Sequence, residues 1–236
     1  MKKTILLILI AFNVSVACAQ IDNLTMFING VMVEVKPPTI DDYLSLPENE
    51  AEADNVNEAL KKTLHLIYLT PNFNKVSIDG KSKNNYLLRY NIYQDEMEFV
   101  TNNITYYTYK EENQIIKFLE LDKTFKILSY KNKLGYYQVI SKGKFNLFSK
   151  PFVIFHQGKP PKNNFELNVP ARYEKKDDRI FVSIENNDLI KLPKRKKDFY
   201  KIFGNKANEV KKFMKSNKLN RKKIDDLIKL FNYLNK

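Results

Sequence analysis

Runs with strand character follow one another so closely in this chain that neighbouring antiparallel strands are almost the only way to fold it. They are LHLIYL (64–69), FNKVSI (73–78), YLLRYNIY (86–93), EMEFV (96–100), ITYYTY (104–109), IIKFLEL (115–121), TFKILSY (124–130), GYYQVI (135–140), KFNLF (144–148) and PFVIF (151–155). RIFVSI (179–184) and DLIKL (188–192) close the series. Tyr, Phe, Ile and Val dominate these runs and suit a pleated, half-buried surface. Parallel neighbours need crossovers of a dozen or more residues, and gaps this short leave no room for helices. The expected fold is mainly β, α+β overall: an antiparallel meander forming a curved or barrel-like sheet, followed by a short helical segment. An open meander of this length exposes unpaired edges, so the sheet has to curl, close or be covered.

Parity within the runs adds a local constraint. Leu88, Tyr90 and Ile92 are apolar at even positions, whereas Met97 and Phe99 are apolar at odd ones. A bulge or tight turn near Gln94-Asp95 reconciles the two. Upstream, TMFINGVMVEV (25–35) carries Asn29-Gly30 between apolar runs, the dipeptide of a tight hairpin. The stretch from Pro37 to Lys62 includes PENEAEADNVNE and has few large apolar residues, so it reads as an acidic loop with a helical turn near 57–62.

The first residues, MKKTILLILIAFNVSVACAQ, have the basic start, apolar run and small residues of a secretory signal. Ala17-Cys18-Ala19 fits cleavage after Ala19, which leaves Gln20 first and the mature chain without cysteine. The alternative, a lipoprotein anchored at Cys18, is disfavoured by Ser15 at the position where Leu, Val or Ile is usual. The apolar run falls short of the ~20 residues a bilayer span needs, and no later segment is long and apolar enough. The organisation expected is a signal peptide (1–19), an N-terminal hairpin and acidic loop (20–62), a β body (63–192) and a basic helical end (193–236).

Charge is concentrated in that end. Between Lys191 and Lys236 there are 16 Lys and Arg against Asp198, Glu209, Asp225 and Asp226, a surplus of 12 in a chain whose whole net charge is +13. Such an end suits an anionic envelope surface or an acidic protein partner. Nucleic acid is not expected for an exported chain, and only five of the 40 basic residues are Arg, the usual reader of phosphate forks. Abundant Lys and Asn throughout also fit a coding bias on a solvated surface.

After Pro193 the apolar period becomes helical. Asp198 is expected to cap a short helix ended by Gly204, Asn205 a second ended by Asn217, and Asn220 a third. In the third, Ile224, Leu227, Ile228, Phe231 and Leu234 share a face, and Asp225 and Lys229 stand at i,i+4. That face needs the sheet, or Val210, Phe213 and Met214 of the preceding helix, as its cover; the other reading is a helix lying on a membrane.

No GxSxG, HExxH, GxxxxGK[ST] or GxGxxG motif occurs, so no catalytic, cofactor-binding or metal-ligating residue is assigned and no cofactor is expected. His65 and His156 each lie in or beside apolar strand patterns and read as structural residues. The densest polar group of the body is Asp95, Glu96 and Glu98; a carboxylate pair or a calcium site is conceivable there, but the expected reading is a solvated strand face.

LLRYNIYQDEMEF, LGYYQVISKGKFNLF, VPARY and the ordered run from KKDFYKIFG to the C-terminus together resemble a group of exported proteins common in Bacteroidota. The resemblance covers roughly Asn72 to Lys236. It implies envelope localisation, a β body and a helical tail, and carries over no catalytic residues. The leading expectation is a non-enzymatic envelope or periplasmic binding protein whose cationic helices aid attachment. The alternatives are a hydrolase of envelope glycan or lipid, and a lipid carrier.

Overall fold

The computed structural model describes residues 24–28, 31–35, 58–101, 104–159, 161, 163, 165–185 and 188–236. The expected signal segment, Asn29-Gly30 and most of the acidic loop lie outside them. Twelve strands are present among the described residues: β1 (Leu24–Ile28), β2 (Val31–Val35), β3 (Asn74–Ile78), β4 (Lys81–Asn91), β5 (Glu96–Thr101) and β6 (Ile104–Thr108), then β7 (Ile115–Phe118), β8 (Lys123–Tyr130), β9 (Lys133–Ser141), β10 (Phe145–His156), β11 (Arg172–Ile184) and β12 (Ile190–Lys191). Three helices follow, α1 (Lys196–Lys201), α2 (Ala207–Ser216) and α3 (Ile224–Leu234).

The sheet runs β1-β2-β6-β5-β4-β3-β7-β8-β9-β10-β11-β12, and each pair of neighbours is antiparallel. It departs from a simple meander at two places, where β2 pairs with β6 and where β3, beside β4, pairs with β7. β4 turns a corner: Tyr86 to Leu88 pair with β3, whereas Arg89 to Asn91 pair with β5. In a flat sheet β4 and β9 would stand roughly 19 Å apart at four strand spacings. The Tyr90 ring nevertheless lies 5.1 Å from that of Phe125 and 5.6 Å from that of Tyr136. The sheet is therefore a curved half-barrel. Tyr90, Met97, Ile116, Phe118, Phe125, Ile127 and Tyr136 fill its interior with essentially no exposure.

A second core lies against the helices. Phe145 and Leu147 of β10 and Val182 of β11 meet Phe199, Phe203, Val210, Met214, Leu227, Leu230, Phe231 and Leu234. The apolar stripe of α3 is thus covered by the sheet and the preceding helices. Asn235 locks this end on: its Oδ1 accepts the Phe145 N–H and its Nδ2 donates to the Phe145 carbonyl, both at 2.8 Å. The turn residue Gly143 (φ +156°) passes so close to Asn235 that any Cβ there would collide with it.

Several local expectations need correction. LHLIYL is not a strand: 58–64 is helical and His65–Ile67 is a 3-10 turn. EALKKTL is made largely of strong helix formers, and a Glu58–Lys62 pair at 2.8 Å ties its surface. Only Ile67 is buried there, and the chain rejoins the sheet margin through Leu69 N–H to Tyr90 O and Ile92 N–H to Ile67 O. KFNLF and PFVIF form one strand, β10, with an irregularity between Lys150 and Phe152 where Pro151 lacks an N–H. β11 begins at Arg172, seven residues before RIFVSI, because Arg172 to Lys176 also pair with β10.

The helix boundaries also move. The N-caps are Arg195, Lys206 and Lys223, not Asp198, Asn205 and Asn220. Asn220 instead accepts the Lys222 N–H in a local turn, which delays α3 until Ile224. Gly204 is left-handed (φ +55°) as expected, but after α2 it is Lys218 (φ +53°), not Asn217, that takes that conformation. Lys229 pairs with Asp226 at 3.8 Å rather than with Asp225.

Candidate functional site

The parity break of YNIYQDEMEF is a turn at 92–95, with Asp95 left-handed at φ +60°. The turn delivers the Asp95 carboxylate to the place where β9 and β10 part. β9 pairs with β10 only through Gln138 to Ser141. On the vacated side, Asp95 Oδ1 accepts the Tyr136 N–H at 3.3 Å and the Tyr90 hydroxyl at 2.6 Å, while Oδ2 takes the Lys150 ammonium at 2.6 Å. Lys150 Nζ also stands 4.5 Å from the Tyr137 ring centroid. Gly135 leaves room for this pair, since a Cβ there would lie 2.7 Å from Asp95 Oδ2 and push Lys150 Nζ aside. Burial pulls the Lys150 ammonium below the ordinary lysine range, partly offset by Asp95. The same burial pushes the phenols of Tyr90 and Tyr136 well up and that of Tyr137 to about 12.

Glu96 and Glu98 are not a solvated face. They are 6% and 3% exposed, and each meets its own cation. Glu98 Oε2 accepts from Arg89 Nε at 3.0 Å and Nη2 at 2.7 Å, and its Oε1 accepts from Asn91 at 2.8 Å. The Arg89 guanidinium also lies over the rings of Tyr68 and Phe73, at 3.8 and 4.6 Å. Glu96 Oε1 takes the Lys110 ammonium at 2.6 Å. The three carboxylates of this segment are therefore spent on three separate ion pairs, and among the described residues no cluster of His, Cys, Asp or Glu is placed to hold a metal ion. A buried pair of this kind costs more to break than it adds by being there, because the survivor is left as an unpaired buried charge. The geometry suits a structural role for all three.

The histidines do not converge on this cluster. His156, in β10, sits 2.6 Å from Glu174 of β11, which also meets Lys176. His65 is an exposed residue of the 3-10 turn.

A broad concavity lies on the opposite face of the sheet. It is a groove of about 950 Å³ across β8 to β11, bounded by the loop before β7, the β8–β9 turn and the segment before β12. Its floor is Leu128, Tyr130, Val139, Phe148 and Leu189, packed on Tyr137 and Phe181. Polar side chains line it too, notably Asn113, Asn132, Asn146 and Ser129, together with Lys126, Lys131, Lys142, Glu112 and Asp188. Three rim residues owe their positions to left-handed backbone: Asn113 (φ +70°), and Lys131 and Asn132 (φ +52° and +62°), which form the hairpin turn between β8 and β9. An apolar floor with amide and hydroxyl groups at its margin is the usual make-up of a ligand site, and the volume falls within the range of such sites.

Sequence reasoning missed this groove, because its residues come from six separate segments. It also missed Lys150 as the partner of Asp95. The parity break was the signal that could have marked Asp95, since a left-handed Asp in a tight turn aims its carboxylate away from both strands.

No protein-family model, curated protein or solved structure matches the chain.

Proposed function

We propose that the chain is a non-enzymatic binding protein of the cell envelope, whose half-barrel takes an oligosaccharide in the groove across β8 to β11 while the cationic helical end attaches it to an anionic surface. The groove carries this reading. Sugars present apolar C–H faces and polar edges together, and the Tyr130–Phe148 floor with its asparagine and serine rim offers the complement of both. The hydrolase alternative loses its best candidates, because Asp95, Glu96 and Glu98 are engaged by Lys150, Lys110 and Arg89. A lipid carrier would need an apolar cavity within the sheet, and the half-barrel interior is filled by Tyr90, Phe118, Phe125 and Tyr136. Export rests on the N-terminal signal pattern and on the resemblance to exported Bacteroidota proteins.

The test is binding of envelope oligosaccharides, followed by tyrosine fluorescence in a chain with 14 Tyr and no Trp. The wild type is expected to bind one class of glycan, and Leu128→Lys, which sets a cation in the floor, to weaken it at least about tenfold with the circular dichroism unchanged. Absence of any glycan binding, or indifference to Leu128→Lys, would contradict the proposal. N-terminal sequencing of protein from the envelope fraction tests export separately; Gln20 should come first, and an intact Met1 would refute cleavage.

A further inference from the structure

The helical end holds a second concavity whose chemistry differs from that of the groove. It measures about 400 Å³ and is lined by Lys196, Tyr200, Lys211, Lys215, Asn220 and Arg221 over a floor of Met214 and Leu219. Helical spacing explains the gathering. Lys196 and Tyr200 are one turn apart on α1, and Lys211 and Lys215 are one turn apart on α2, so each pair shares a face. Four cations converge there, and no carboxylate lines the cavity.

Neutralising partners exist nearby but are used elsewhere. Glu209 meets Lys206, and Asp226 meets Lys229 and accepts the Asn220 N–H. Among the described residues none of the four lining cations has an ion pair. Arg221 is the most telling. Its Nη2 donates to the Lys194 carbonyl at 3.0 Å, which fixes the guanidinium plane, yet its Nε is buried with no hydrogen-bond partner. A buried donor left unmet destabilises the fold around it. Collecting like charges around it adds repulsion. An anion with several acceptor oxygens would relieve that repulsion.

We propose that this cavity is a binding site for a phosphomonoester. Arg221 engages one oxygen edge through its planar fork, Lys196, Lys211 and Lys215 supply point charges, Tyr200 and Asn220 supply hydrogen bonds, and Met214 and Leu219 face the esterified carbon. The source is either a soluble phosphate ester or the headgroup of a lipid bearing a terminal phosphate. The inference sharpens, and for the lipid source rests on, the reading of the helical end as an attachment element.

The experiment titrates the purified chain at constant ionic strength with glycerol 3-phosphate, and separately floats it with phosphatidylcholine vesicles that contain or lack phosphatidic acid. The variants are Arg221→Gln, Lys215→Gln and, as a charge-matched control away from the cavity, Lys222→Gln. Arg221→Gln and Lys215→Gln should each weaken glycerol 3-phosphate binding by about tenfold or more, and Lys222→Gln by less than about twofold. Lys215→Gln serves should Arg221→Gln disturb the loop through loss of the Lys194 contact. Vesicle binding that follows the same order assigns the lipid source; binding of the soluble ester alone assigns the soluble source and refutes membrane attachment. Vesicle binding weakened equally by all three variants overturns the site and leaves a diffuse cationic surface. No response to either probe overturns the site and the attachment reading together.

Discussion

The two cores of this protein solve the same problem in opposite ways. Around the helices, apolar and charged residues are cleanly separated: the packed side chains are Phe, Leu, Val and Met, and the lysines stay outside. Inside and beside the half-barrel, charges are paired next to the core and buried or partly buried, as Asp95–Lys150, Glu96–Lys110 and Glu98–Arg89. Separation leaves the cations of the helical end available for ligands. Pairing consumes the carboxylates of the body, and makes the body depend on each partner being present.

Phe231→Ala should have the largest effect, a loss of about 4 kcal/mol in urea unfolding, since it empties space at the centre of the helical core. A loss below about 2 kcal/mol would mean that this core collapses to fill the space, unlike a well-packed interior. Asp95→Asn comes next, at about 2 kcal/mol, because it keeps a residue tolerant of φ +60° but leaves Lys150 as an unpaired, largely buried charge. Adding Lys150→Met should restore a large part of that loss, as no change in the helical core would.

Asn235→Ala should cost about 1–2 kcal/mol through two lost backbone contacts to Phe145, and should loosen the helices from the sheet before the half-barrel melts. Amide exchange resolves that order. Loss of protection at both ends together would show that the cores are one cooperative unit.

Alkaline pH should sharpen the contrast. Tyr90, Tyr136 and Tyr137 have phenols raised by burial. Their stabilisation is present below the ordinary tyrosine value near pH 10, and is lost as pH climbs from there through the folded values. Lys150 acts in the opposite sense: its lowered folded value costs stability while it is charged, and that cost fades as pH rises toward its unfolded value of 10.5. Three tyrosines outweigh one lysine, so stability should fall above about pH 10, with late-ionising phenols visible in tyrosinate absorbance. Full tyrosine ionisation at ordinary pH with the fold intact would contradict burial of these rings. The smallest effect belongs to Lys222→Gln, within about 0.5 kcal/mol of wild type in stability.

The contrast also explains which parts could be read from the sequence. Ile224, Leu227, Ile228, Phe231 and Leu234 announce a buried helical face because separation leaves a periodic trace. Alternation at Leu88, Tyr90 and Ile92, and at Met97 and Phe99, likewise placed their apolar face inward and located the turn. Alternation fails for Glu96 and Glu98, where burial depends on Lys110 arriving from the loop after β6 and Arg89 from β4. It fails for Leu64 to Leu69, where helix propensity and one buried residue, Ile67, outweigh an apolar run. The helices start at neither Asp198 nor Asn205 nor Asn220, although each could cap, and Asn220 accepts the Lys222 N–H instead. The groove and the basic cavity are products of curvature and helix docking, which no local pattern records.

A double-mutant cycle on Asp95→Asn and Lys150→Met, read in urea unfolding together with glycan binding, tests most directly whether the body's carboxylates serve the fold rather than chemistry. The account predicts a coupling of about 2 kcal/mol or more, with glycan binding retained in every folded variant. Additive effects, combined with loss of a turnover or binding signal in Asp95→Asn alone, would contradict it and return Asp95 to the position of an active-site acid.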